Sequence, residues 1–298
     1  MRKAAPLFLL VALLFAADRA CYYGYTYVYS HQKNNEVAFK RDALKNKSYE
    51  LFIMGSSRAN HHYDTRILDT LLKTRSFNLG DEGKKLSYQL PLCDIVFSNP
   101  AVHTVILDVL PDELSLNTPM ADNQSLLMLV HDHPNVKGYF SEEGINTSIL
   151  LSSKSYYYNS QTFPLFTNYL MGNRATTSKQ MKSYAGFLPL KAAFSDKLYP
   201  DTSTTVNPVT ALQFKRIIEV SKKNKKKLCV VISPFLNSYS KITEDRIRAM
   251  CNAANVPFIS YADSAAFKTK ALYVDSRHLN ESGAALFTAS LVGYLQQH

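Results

Sequence analysis

The 298 residues predict an α/β fold: a parallel sheet of about five strands with helices on both faces and a long insertion after the third strand. Three observations carry this. Short apolar runs of strand length alternate with segments whose apolar residues recur at helical spacing. Several of the runs, LFIM at 51–54, TVILDV at 104–109 and LCVVIS at 228–233, are almost wholly aliphatic, as strands buried on both faces require. The alternation also stops at residue 115 and resumes after residue 206. Nearly half of the chain is hydrophobic, enough for one sizeable core.

The chain starts with Met1-Arg2-Lys3 and an apolar run from Ala4 to Ala17 that Asp18-Arg19 interrupts. The run is shorter than the ~20 residues of a spanning helix. It has no small-x-small cleavage site after it, and the segment before Cys21 lacks the leucine of a lipoprotein signal. Tyrosines crowd 21–30, and tyrosine favours membrane interfaces. Residues 1–30 are therefore expected to be an uncleaved signal anchor with an interfacial collar. Its positive end would stay in the cytoplasm, which places the rest of the chain outside. Residues 31–48 read as a tether, and 49–298 as the folded domain with an insertion over 115–206.

Within that domain, the 51–54 strand precedes a helix over 65–73, a short strand at 76–79 and a helix over 84–98 that must accommodate Pro91. A third strand covers 104–109. Asn207-Pro208 is a helix start, with a capping side chain followed by proline at the first helical position. That helix leads to the fourth strand at 227–233, a helix over 242–255, a fifth strand at 256–260 and a closing helix over 280–297.

The formal charge is +10, but no aromatic-interleaved basic motif points to nucleic acid, and Lys222 to Lys227 suit a solvated helix end. Cys21, Cys93, Cys229 and Cys251 have no metal or disulfide spacing. Three adjacent residues, His131-Asp132-His133, cannot all face one ion in regular structure, so no metal and no cofactor is expected. Tyr156, Tyr157, Tyr158, Phe163, Phe166 and Tyr169 are expected to pack the insertion, with stacking on a sugar face or acyl chain as the other reading. Glycosylation at the Asn280-Glu-Ser sequon would crowd His278, which favours a bacterial envelope.

The chemistry concentrates in two places. ELFIMGSSRAN at 50–60 is an apolar strand that ends in Gly55-Ser56-Ser57, which delivers a small nucleophile to the carboxyl edge of a sheet. Asp275-Ser-Arg-His278, just before the last helix, sets an acid and an imidazole three residues apart. A serine, a histidine and a carboxylate are the parts of a hydrolytic triad.

These motifs resemble those of the SGNH (GDSL-type) hydrolase superfamily. Gly55-Ser56-Ser57 matches its first block, Asn78-Leu-Gly-Asp-Glu-Gly83 its second, and Asp275-x-x-His278 its last, in family order. The resemblance implies a three-layer flavodoxin-like fold and assigns Ser57 as nucleophile, His278 as base and Asp275 as orienting acid. It also implies an oxyanion hole from the N–H groups of Ser57 and Gly83. The family's Gly-x-Asn-Asp block after the third strand is missing, since this chain reads VILDVLPD over 105–112. Arg58, Asn60 and His62, just beyond the nucleophile, are candidates to replace that asparagine. The chain looks similar to the divergent members that modify envelope polysaccharides and teichoic acids, such as the D-alanyl-lipoteichoic acid biosynthesis protein D. That implies a membrane-anchored esterase or O-acyltransferase, a polysaccharide or lipid-linked glycan acceptor, and a membrane-bound acyltransferase as partner. The missing asparagine also permits a domain that binds glycan or assists assembly without turnover.

Overall fold

A computed structural model describes residues 4–142, 145–171, 181–196, 205–237 and 239–297. Arg2 and Lys3, which carry the orientation expectation, and part of the expected insertion lie outside the described residues. The chain divides into two compact units, Met1–Arg41 with Met120–Arg174 and Asp42–Pro119 with Ala175–His298. Of the insertion expected over 115–206, the 120–174 stretch belongs to the first unit and the remainder to the second.

The second unit holds a five-stranded sheet of β1 (Leu51–Met54), β2 (Ser76–Asn78), β3 (Thr104–Asp108), β4 (Lys227–Ile232) and β5 (Phe258–Ser260). The order is β2-β1-β3-β4-β5 and every pairing is parallel. This is the flavodoxin-like arrangement, in which the strand order reverses between β1 and β3 and leaves a crevice at their carboxyl ends. Because alternate strand residues face opposite sides, each strand contributes to two cores. Leu51, Ile53, Ile106, Cys229 and Val231 share one cluster with Tyr63, Leu68, Phe287 and Leu291. Tyr63 caps the end of α3 (Ser57–His62), and the other partners come from α4 (Thr65–Leu72) and α11 (Glu281–Gln297). On the opposite face, Met54 meets Cys93 of α5 (Leu86–Ser98) at 3.7 Å between sulfurs. Alongside α5 packs α9 (Pro208–Lys223), where Asn207 Oδ1 accepts from the N–H groups of Val209 and Thr210 at 2.9 and 3.3 Å. The helix α10 (Ile242–Ala253) precedes β5. Burial pushes the Cys229 and Cys251 thiols up to about 12, so both are inert packing groups.

The first unit contains α1 (Ala4–Ser30), α6 (Val136–Ser141), α7 (Ile145–Leu150), α8 (Thr162–Met171) and the 3₁₀ segments Met120–His131 and Ser155–Gln161. The helix α2 (Glu36–Lys45) follows α1. By length and composition, α1 is sufficient to cross a membrane, and its Leu7, Phe8, Leu10 and Leu14 are exposed. The helix continues through Asp18-Arg19, where Asp18 accepts hydrogen bonds from the Ser155 N–H (3.0 Å), the Lys154 N–H (3.1 Å) and both serine hydroxyls of Ser153 and Ser155. Arg19 pairs with Asp18 and lies 4.2 Å from the Phe15 ring centre. Tyr22, Tyr25 and Tyr29 each pack their rings against Tyr158, with centroids about 6 Å apart, while Tyr23 and Tyr27 are exposed. Aromatic pairs at this separation are favourable beyond their burial, and here they join α1 to the 120–174 stretch. Tyr22 also takes up His131, its hydroxyl lying 3.0 Å from Nδ1. Among the described residues no group of three or more His, Cys, Asp or Glu is arranged to hold a metal ion.

Candidate active site

At the end of β1 the chain turns sharply into α3. Gly55 makes the turn at φ +146°, where an added Cβ would lie 2.6 Å from the Asp108 carbonyl and 2.9 Å from the Ala59 Cβ. Only glycine fits. Gly55→Ala is expected to cost on the order of 1–3 kcal/mol, read as a lower urea midpoint with unchanged slope.

Ser57 is the first residue of α3, a position whose N–H has no partner within the helix. Its Oγ lies 2.8 Å from His278 Nε2, and His278 Nδ1 lies 2.9 and 3.0 Å from the two carboxylate oxygens of Asp275. Asp275 Oδ1 also accepts from the backbone N–H groups of Arg277 and His278, both at 2.8 Å. Burial pushes the Asp275 carboxyl up, but the bonds from the His278 ring and from these N–H groups outweigh it and hold it below the usual range. An ionised carboxylate only accepts, so the proton sits on Nδ1 and Nε2 presents its lone pair to the Ser57 hydroxyl. The loop bearing the pair is closed by the Tyr273–Leu279 bridge and by the Val274 N–H donating to the His278 carbonyl at 2.9 Å.

The second block folds against α3. Asn78 at the end of β2 donates to the Ala59 carbonyl at 2.7 Å and accepts from the Gly80 N–H at 2.9 Å. The Asp81 N–H then donates to the Gly55 carbonyl at 3.1 Å, which ties the following turn to the nucleophile's turn. The Asp81–Lys84 turn is closed at 3.2 Å and carries Gly83 at φ +69°, the positive value that a type II turn requires at its third residue.

His61 joins this turn to α3, a role that sequence reading missed. Its Nδ1 meets the Leu188 carbonyl and its Nε2 the Glu82 carboxylate, each at 2.6 Å. The bond from His61 outweighs burial and holds the Glu82 carboxyl below its usual range, so Glu82 is ionised. The His61 ring thus bridges the Leu188 carbonyl and the Glu82 carboxylate. Its ring centre is 6.1 Å from that of His278. The signal was available: two adjacent histidines one turn past the serine, and an acid beside the glycine of the second block. Glu82→Gln should lower kcat while leaving KM near wild type, because it loosens the turn bearing Gly83 without touching substrate. A changed KM at full kcat would reject that role.

Where the family block with asparagine is missing, the structure has a buried polar network. Asp108 Oδ1 accepts from the Tyr63 hydroxyl at 2.7 Å and from the Ser233 N–H at 3.0 Å, and its Oδ2 is 3.8 Å from Arg58 Nε. Arg58 donates to Ser233 Oγ from Nε at 3.0 Å and from Nη2 at 2.7 Å. His62 Nδ1 donates to the same hydroxyl at 2.9 Å, and Nε2 accepts from the Leu279 N–H at 3.0 Å. Burial, reinforced by Arg58 and the other two histidines, keeps His62 well below its ordinary value and hence neutral. These placements correct the expectation that Arg58 and His62 replace the missing asparagine. Both are fully buried, directed at the end of β4 and away from solvent. Asn60, also buried, hydrogen-bonds to Glu82 and stays with the second-block turn.

Beside the His278 loop is a small recess lined by Pro111, Asp112, Phe235, Tyr239 and Arg277. Arg277 Nη2 lies 3.5 Å from Asp112 Oδ2, and its guanidinium is 5.7 Å from the Phe235 ring centre. The Leu236 N–H donates to the Ser276 carbonyl at 3.1 Å, which locks this wall to the loop bearing the base.

No family model matches the chain, and no curated protein does. Among solved structures, one described as a candidate platelet activating factor from Streptococcus pneumonia aligns at 12% identity and TM-score 0.41, covering 98% of this chain and 99% of its own. A candidate acylhydrolase from Bacteroides fragilis aligns at 12% identity and TM-score 0.41, covering 88% and 97%. At that distance neither likeness carries an argument, and both fold and chemistry rest on this chain's own residues.

Proposed function

We propose that the chain is an SGNH-type serine esterase or O-acyltransferase, tethered by α1 on the outer face of a bacterial membrane and acting on an envelope glycan. The observation that carries the reading is the hydrogen-bonded chain from Ser57 Oγ through His278 to Asp275. In the reaction the Ser57 Oγ attacks an ester carbonyl while its proton passes to His278 Nε2. The N–H groups of Ser57 and Gly83 receive the oxyanion. His278 then protonates the departing alcohol, and water or a sugar hydroxyl resolves the acyl-serine by the reverse sequence. With no side-chain donor after β3 in the family position, turnover is expected about 10²–10³ below that of a fully equipped oxyanion hole.

Three features support the glycan and the location. The recess beside the base offers the aromatic walls Phe235 and Tyr239 and the planar Asp112–Arg277 pair, a combination suited to a sugar face and its hydroxyls. The length and apolar character of α1 suit an anchor. Arg2 and Lys3 before it favour a cytoplasmic N-terminus. The acceptor would be a polysaccharide or lipid-linked glycan, and the acyl group would arrive through a membrane-bound acyltransferase partner.

Labelling by a fluorophosphonate, together with a burst of acyl-enzyme from a model ester, tests the chemistry. Both are expected from wild type and neither from Ser57→Ala. The absence of an asparagine after β3 favours one other reading, a glycan-binding or assembly domain without turnover. Wild-type protein that gives no labelling and no burst would establish it over the first.

A further inference from the structure

We propose that the 149–154 segment of the first unit is a membrane-surface contact, inserting Ile149 and Leu150 among lipid chains beside α1. The inference rests on the reading of α1 as an anchor. α1 is long enough to cross, but its uninterrupted apolar run from Ala4 to Ala17 covers about 21 Å at ~1.5 Å per residue, roughly 9 Å less than a ~30 Å hydrocarbon core. Something apolar must cover α1 beyond Ala17, where Asp18 would otherwise meet lipid.

The structure supplies that cover at this level of the helix. Asp18 is taken up by Ser153, Lys154 and Ser155, so the segment carrying them lies at the depth where the apolar run ends. Immediately before them, Ile149 and Leu150 are 63% and 47% exposed, at the end of α7 and facing no core. Exposed aliphatic side chains at the depth of a membrane boundary are stabilised by immersion. Lys154, exposed, extends over the Tyr22 ring at 5.3 Å from its centre, where its ammonium can meet lipid phosphate while its stem stays apolar. Hydrophobic mismatch is thus relieved by the protein's own second segment and not by tilt alone.

The test places an environment-sensitive nitrobenzoxadiazole on cysteine in full-length protein reconstituted into phosphatidylcholine–phosphatidylglycerol vesicles. Cys21 is exposed and is first replaced in a Cys21→Ser background, since Cys93, Cys229 and Cys251 are buried. Probes go at Leu150→Cys and Leu10→Cys, both exposed positions whose substitution leaves the core intact, with far-ultraviolet circular dichroism as the folding check. The expected result is blue-shifted emission at both, with the Leu150 probe losing most of its intensity to a doxyl lipid labelled near the headgroup and the Leu10 probe to one labelled in the tail. Water-like emission at Leu150 with a quenched Leu10 overturns the inference while α1 remains an anchor, and assigns the exposed face to a protein partner. Water-like emission at both positions overturns the anchor reading and the inference with it.

Discussion

Ser57→Ala is expected to lower ester turnover on the order of 10⁴-fold or more and to leave the thermal midpoint in detergent nearly unchanged. The size follows from the way triad members act as one unit, so removing one forfeits most of what all contribute. The stability follows from position, because Ser57 is half-exposed and, among the described residues, its side chain hydrogen-bonds to His278 alone. His278→Ala should reach a similar floor, and the double variant should fall little further. Asp275→Asn should cost on a comparable scale, but it also changes the pH response of stability. The Asp275 carboxyl is held below its usual value of 3.8, so its contribution is present above about pH 4 and is lost as pH falls through the lower folded value. The variant's stability deficit should therefore be full at neutral pH and shrink under strong acid. Steady-state kinetics on a model ester, with urea titrations at two pH values, read both effects. Turnover in Ser57→Ala equal to wild type would move the nucleophile elsewhere.

The largest expected effect on folding comes from the residue beside it. Arg58→Met should destabilise by about 3–5 kcal/mol, because it leaves the Asp108 carboxylate buried without its counter-charge. Both side chains are almost completely excluded from solvent. Burial already pushes the Asp108 carboxyl up, and Arg58 is the largest of the groups opposing that rise. Without Arg58 the group should take up a proton more readily in the folded state, so the Arg58→Met deficit should shrink as pH falls below neutral. Asp108→Asn keeps an acceptor for Tyr63 and the Ser233 N–H but strands the guanidinium, and should cost a similar amount. Arg58→Met/Asp108→Asn should cost clearly less than the two singles added, since neither charge then remains unmatched. Urea denaturation of the four proteins measures this. A strictly additive double variant would show that the pair is not coupled.

How much of this was legible in the sequence depends on the range of the interaction. β1, β3 and β4 were readable because burial on both faces forces aliphatic runs, and the Asn207-Pro208 cap because its chemistry is local. The glycine before Ser57 was readable from the same run, although the reason for it, the Asp108 carbonyl beneath, was not. Helical spacing could have separated the residues after the nucleophile. Arg58 and His62 are four apart on α3 and share the inward face, so neither could line the substrate side together with Ser57. What no local pattern discloses is the fate of Asp18. An acid in an apolar run looks like its end until residues more than 130 positions away supply the donors.

The Leu279 N–H has an unusual acceptor for a loop amide, a ring nitrogen of fully buried His62. Because that bond sits next to the base and inside the core, its amide should exchange with deuterium almost as slowly as strand amides, opening only with the unit as a whole. The same ring is a point of acid weakness. An unfolded histidine takes up a proton near pH 6.5 while His62 resists to well below that, so stability should fall by about 1.4 kcal/mol per pH unit once the medium drops under 6.5. When protonation finally reaches His62, its Nε2 can no longer accept, and the amide that fixes the base loop to the nucleophile helix is released. Below pH 6.5 the loss of stability should therefore register at residue 279 as deuterium uptake faster than the intrinsic rate at that pH predicts, in step with the other amides that open only with the unit as a whole.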